Sequence, residues 1–212
     1  MPGIRHLIVC EGESERAYLQ QLQAFLEKQP LKPGAFESPV KFIGPQSAVT
    51  KSGVFSNLKN QYSSVRRDNK KASIQIWADF DLYHRNHKKC AENYAKRPPG
   101  IPNFCFSFHN FEDFYALHLE STEFNQWLAF GNAEHFASPL HAEQYIPEFL
   151  RICPDYKKAE IPVEFITWDS LRNLKRNKSQ QPTSNPWKLQ DIYGFADFLI
   201  SQLEIAYPGQ LD

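Results

Sequence analysis

The 212-residue chain has no C-x-x-C pair: its four cysteines, Cys10, Cys90, Cys105 and Cys153, lie far apart. That spacing excludes a zinc knuckle and a small disulfide scaffold, and leaves free thiols in a reducing compartment as the expectation. Net charge is also missing, with 24 basic residues balancing 24 acidic ones, so no whole-molecule field points to nucleic acid or membrane. No apolar run approaches membrane-spanning length, and Met1-Pro2-Gly3-Ile4-Arg5-His6 lacks the apolar stretch of a secretory signal. The expectation is a cytoplasmic protein without a membrane partner. No internal repeat is visible. A P-loop is lacking too: Gly44-Pro45-Gln46-Ser47-Ala48-Val49-Thr50-Lys51-Ser52 has no glycine before the lysine and is one residue too long, so a helix entry with hydroxyl caps accounts for it better.

What is present is globular. Hydrophobic residues make up 42% and aromatics 14% of the chain, with 17 Phe and 9 Tyr, far more than a disordered segment carries. Leu7-Ile8-Val9-Cys10 reads as a buried strand, and Tyr18, Leu22, Phe25 and Leu26 then recur at helical spacing until Pro30, Pro33 and Gly34. Val40 to Ile43 reads as a second strand, Val49 to Val65 as a second helical stretch, and Ile74, Ile76 and Ala78, alternating with Ser73, Gln75 and Trp77, as a third strand. This β-α-β-α-β order predicts an α/β fold with a mostly parallel sheet, right-handed crossovers and functional groups at the carboxyl ends of the strands. A polar helix over 84–96, a fourth strand over 104–108 and a helix opening at Asn110 follow. Residues 1–120 are expected to form the core and 121–212 a mainly helical extension packed on it, with a polar loop over 177–186 and a last helix from Leu189 to Leu203.

Acids collect where strands end. Glu11, Glu13 and Glu15 crowd the exit of the first strand, and Asp79 and Asp81 the exit of the third. Side chains two apart in an extended stretch face the same way, so Asp79 and Asp81 can present two carboxylates to one side. Crowded carboxylates need water or a cation between them, and hard oxygen ligands in an open site suit Mg²⁺ or Mn²⁺. Glu11, Asp79 and Asp81 are therefore the expected holders of a divalent ion, which would neutralise phosphate charge and orient a water for attack. Basic residues gather at Arg172, Lys175, Arg176 and Lys178, with Trp168 and Trp187 nearby; such a stretch is ordinarily a solvated loop, and only where the acidic centre acts on nucleic acid would it hold phosphates and stack bases.

The same residues carry a resemblance. Strand-Glu11-Gly12 followed by strand-Asp79-Phe80-Asp81 resembles the Toprim pattern. More narrowly, Val9 to Glu15, Ile76 to His84 and Asn110 to His118, with Tyr156-Lys157-Lys158 and Asn185-Pro186 later, resemble the RloB-like family, small Toprim proteins of bacterial defence and restriction loci related to OLD-type nucleases. The resemblance implies a Toprim-like fold, a magnesium-binding D-x-D pair at Asp79 and Asp81, and Glu11 as general acid or base. It also implies Glu15 and Glu112 as further metal-site acids, and Lys157 or Lys158 as a phosphate-facing lysine. The function so implied is a Mg²⁺-dependent nuclease of anti-phage, abortive-infection type, acting on DNA or RNA, with a separate defence ATPase as partner and a homodimer as one assembly left open.

Other readings compete. A haloacid-dehalogenase-type phosphotransferase would use Asp79 as nucleophile and Asp81 as acid, but Tyr83 stands where Thr or Val is wanted. His84, His87 and Cys90 with the distant Cys105 could surround zinc, yet three-residue steps in a polar helix more often mark a solvated face. A non-catalytic nucleic-acid-binding or sensor subunit working with a partner ATPase is the alternative to a nuclease.

Overall fold

A computed structural model of the chain describes residues 5–30, 41–43, 54–79, 104–131, 141–180 and 194–212. Among these, strands β1 (Arg5–Cys10), β2 (Lys41–Ile43), β3 (Ser73–Ala78) and β4 (Phe104–Phe106) form one sheet in the order β2-β1-β3-β4, all neighbours parallel. The helices are α1 (Glu13–Leu26), α2 (Val54–Asp68), α3 (Phe111–Ala116), α4 (Ser121–Phe130), α5 (Ala142–Ile152), α6 (Trp168–Ser179) and α7 (Gly194–Ala206). The class is α/β and Rossmann-like.

Leu7, Ile8, Val9 and Cys10 are all buried. Their side chains alternate between the two faces, so both faces of β1 are covered, as in parallel sheets generally. The third strand forms over Ser73–Ala78 as its alternation predicts, and its second face is covered as well at the carboxyl end. Trp77, on the side opposite Ile76, is fully buried and stacks on Phe195 of α7, with ring centroids 3.6 Å apart and 8° between planes. The helical C-terminal part therefore closes that face, and a single hydrophobic cluster runs from Leu7 to Leu211. On α1, Tyr18, Leu19, Leu22 and Leu26 form the buried stripe, with Tyr18 meeting Trp77 and Phe114 edge to face.

The fourth strand is shorter than its apolar run, because the chain turns away at Ser107 and Phe108. Helix α6 is longer than expected: Asn177, Lys178 and Ser179, assigned to a loop by their polarity, are helical. The reason is that Asn177 is buried and its Nδ2 donates to the carbonyls of Leu117 (3.0 Å) and Leu119 (2.9 Å), which satisfies groups left open just past α3. The polar helix over 84–96, the rest of the loop beyond Gln180, and Leu189 and Ile192 lie outside the described residues.

Strand order sets the site. From β1 the chain passes outward to β2, then returns across β1 to β3. The reversal makes the β1/β3 boundary a switch point, where the loops leaving two neighbouring strands diverge and open a crevice at their carboxyl ends.

Candidate active site

Glu11 leaves β1 and Asp79 leaves β3 at that boundary. Cys10 pairs with Trp77 in register, and the Glu11 N–H continues the ladder to the Trp77 carbonyl at 3.0 Å. The Asp79 N–H then donates to Glu11 Oε2 at 2.8 Å. One strand end thus fixes the carboxylate of the other across 68 positions of sequence.

Gly12, the N-cap of α1, has an extended backbone with φ −131°. Its need for glycine comes from close approach: a Cβ there would stand 2.8 Å from Glu15 Oε2. Glu15, only 3% exposed, folds back over the first turn, where the helix dipole favours an anion. The E-G-x-x-E spacing therefore has a local cause. Without the glycine, the buried Glu15 carboxylate would have to move.

The second wall rises from β4. Ser107 N–H donates to the Ala78 carbonyl at 3.2 Å and its hydroxyl accepts from Trp77 Nε1 at 2.7 Å. Phe108 then takes φ 88°, a conformation costly for an aromatic residue. That kink delivers Asn110 to the N-cap of α3, where the Asp113 carboxylate accepts from the Asn110 N–H at 3.1 Å and from Trp127 Nε1 at 3.0 Å. Glu112 follows, 2% exposed, its Oε1 accepting from the Tyr156 hydroxyl at 2.6 Å. Burial raises the Glu112 carboxyl above its ordinary pKa; the Tyr156 bond and the Lys158 charge pull the other way.

Tyr156 belongs to a strap, residues 153–160, that crosses from α5 to α1. Its far end is pinned by the Ala159 N–H donating to Ser14 Oγ at 3.2 Å, with Ala159 in the left-handed region at φ 63°. Between the two anchors the adjacent lysines part company. Lys157 turns outward to an exposed ion pair with Glu160 at 3.5 Å, whereas Lys158 lines the cavity.

The cavity enclosed by these walls has a volume of about 540 Å³. Carboxylates of Glu11, Glu13, Glu15, Asp79 and Glu112 line it, with Lys158 as a cationic neighbour. His141 and Tyr145, at the start of α5, complete the rim. Four of the expected metal-site acids thus share one cavity; Asp81 lies outside the described residues. No three His, Cys, Asp or Glu groups among the described residues stand close enough to form a metal site by themselves.

A family model described as "RloB-like protein" matches residues 6–198. The chain belongs to the RloB-like family. No curated protein matches the chain, and no solved structure does. The span matched as RloB-like takes in every residue of the cavity, from Glu11 to Ala159.

In this RloB-like chain the remaining expected residues sit elsewhere. Each base of α6 faces a carboxylate: Arg172 with Asp169, Lys175 with Glu204 and Asp212, Arg176 with Glu120, and Lys178 with Asp197. None of the four lines the cavity. Trp168 donates its Nε1 to Gln29 Oε1 and packs on Phe25 and Tyr207, so its ring is used within the fold. Cys105 is buried beside Gln75, while His84, His87, Cys90 and Trp187 lie outside the described residues. The sequence reading passes over His141, Tyr145 and the role of Tyr156. Only the Tyr-Lys-Lys segment carried a signal, and it pointed at the lysines.

Proposed function

We propose that this RloB-like protein is a Mg²⁺- or Mn²⁺-dependent nuclease with a Toprim-type centre, serving bacterial anti-phage or restriction-associated defence. One observation carries the reading: at the sheet's switch point the Glu11 carboxylate is locked to the Asp79 backbone 2.8 Å away, inside a cavity lined by further carboxylates. Hard oxygens in a hydratable pocket, with soft or nitrogen ligands nearly absent from the lining, are the donor set that a small divalent cation takes. Asp79 and Asp81, with one or both of Glu11 and Glu15, would hold it, and Glu112 stands on the opposite wall. When bound, the ion supplies charge neutralisation at the phosphate and a more acidic water.

The residues of the chain do the rest. Glu11, held in one orientation by the Asp79 N–H, moves a proton to or from the reacting oxygen. Lys158 offers its ammonium to a phosphate that would otherwise meet only negative charge. Tyr156 fixes Glu112 and, through the strap, the place of Lys158.

The test is cleavage by the purified chain of DNA, messenger RNA and tRNA in Mg²⁺, with and without a partner ATPase. The reading expects products that vanish with chelator and in Asp79→Ala and Glu11→Gln. Binding of nucleic acid without cleavage in every condition would favour the sensor-subunit reading instead.

A further inference from the structure

We infer that Asn110 is a substrate-positioning residue whose side-chain Nδ2 donates to a non-bridging phosphate oxygen in the acid-lined cavity; this rests on the nuclease reading and extends it. Asn110 lines the cavity and is 2% exposed. Its backbone N–H is already taken by Asp113, while neither Oδ1 nor Nδ2 of its side chain has a hydrogen-bond partner among the described residues. Of the two, Nδ2 carries two N–H donors, the kind of group that an anion can complete.

A buried amide nitrogen without an acceptor is uncommon in a folded protein, and asks what completes it. Here the setting sharpens the question, since five carboxylates line the same cavity and Nδ2 meets none of them at hydrogen-bond distance. Donors are what such a cavity has least of. A phosphate oxygen entering between Asn110 and Lys158 would accept from both, one neutral donor of fixed direction and one mobile charge. The Phe108 kink at φ 88° places the amide there, so a strained backbone position is spent on orienting a group that no described neighbour uses.

The experiment uses the full chain. Binding of inorganic phosphate in Mg²⁺ is measured by calorimetry for wild type, Asn110→Ser and Asn110→Asp, with thermal unfolding as the folding control. Ser and Asp both keep an oxygen at the N-cap position and remove the amide donors; Ser adds no charge. The expected result is phosphate binding weakened about tenfold in Asn110→Ser and more in Asn110→Asp, at near wild-type stability. In steady-state cleavage the same variants should raise KM more than they lower kcat. Phosphate affinity of Asn110→Ser within about twofold of wild type, or no phosphate binding by wild type, overturns the inference. Phosphate binding is read without turnover, so absent cleavage with an intact Asn110 dependence would count against the nuclease reading alone.

Discussion

Glu11 and Asp79 sit at the ends of neighbouring strands and line one cavity, whereas Arg172, Lys175, Arg176 and Lys178 on α6 each lie against a carboxylate of the same chain. Both groups are conspicuous charge clusters in the sequence, and only the first converges on a site. The difference is topological. Residues that follow parallel strands leave the sheet at the same edge, so acids placed there meet however far apart they are in sequence. Charges on a helix go where that helix packs: Lys175 and Lys178 meet acids of α7 and the chain terminus, Arg176 meets Glu120 just before α4, and Arg172 pairs with Asp169 on α6 itself.

The hardest test of this contrast is to remove the converging charges. Glu11→Gln keeps the size of the side chain and an oxygen able to accept from the Asp79 N–H, yet loses the proton-carrying carboxylate. Cleavage should fall by about 10²- to 10⁴-fold in kcat, with thermal stability little changed. Asp79→Ala, which retains the backbone N–H bonded to Glu11, should fall at least as far. Wild-type rates in both variants would mean that the switch-point acids are not the reacting groups.

A smaller effect separates the two walls of the cavity. Tyr156→Phe preserves the ring contacts with Tyr115 and Phe149 and deletes the bond to Glu112. A buried hydrogen bond to a charged partner contributes about 1.5–3 kcal/mol. The sign with pH follows from the raised Glu112 carboxyl. In the wild type, the folded state holds that proton more tightly than the unfolded one, so its contribution to stability is full below the ordinary value of 4.5 and is lost as pH rises through the raised value. The Tyr156 hydroxyl favours the ionised form, so Tyr156→Phe should cost more at pH 8 than at pH 4. Urea unfolding at the two pH values reads the difference, and an equal loss at both would show that Glu112 stays protonated throughout.

Gly12→Ala probes the first turn of α1 directly. The added Cβ would stand 2.8 Å from Glu15 Oε2, and because Glu15 is buried its carboxylate has little room to retreat. A loss of about 1–3 kcal/mol is expected from the crowding, together with weaker binding of Mn²⁺ followed by electron paramagnetic resonance. Unchanged Mn²⁺ affinity would remove Glu15 from the metal-holding set.

The parallel sheet and its acidic exits were legible in the sequence because each acid follows directly on an apolar run and strands alternate with helices; the strand order β2-β1-β3-β4 was not. The burial of Trp77 was not legible, because alternation alone does not show that α7 covers the second face. Asn177 was misread as loop because its polarity, common in loops, here serves buried carbonyls beyond α3. The Tyr156 to Glu112 bond spans 44 positions between segments with no shared period, and nothing local announces it. Nor could the sequence choose between Lys157 and Lys158: both are exposed, and only the path of the segment up to its bond with Ser14 shows that Lys158 is the one at the cavity.

That last choice gives the finest prediction, and it returns to the contrast between the acidic cavity and α6. Lys158→Ala removes the one lysine among the described residues that lines the cavity, so KM for nucleic acid should rise about tenfold, with a shallower dependence on salt. Lys157→Ala deletes only an exposed pair with Glu160, and Lys175→Ala only pairs with Glu204 and Asp212; each should change KM by less than about twofold. Exposed pairs of this kind are weak, however, and a long substrate could draw the α6 bases away from their carboxylate partners. Comparing a dinucleotide with a long strand separates the cases. If Lys175→Ala weakens the long strand and leaves the dinucleotide alone, α6 is an outer track for the polymer, and the two charged regions divide the substrate between them.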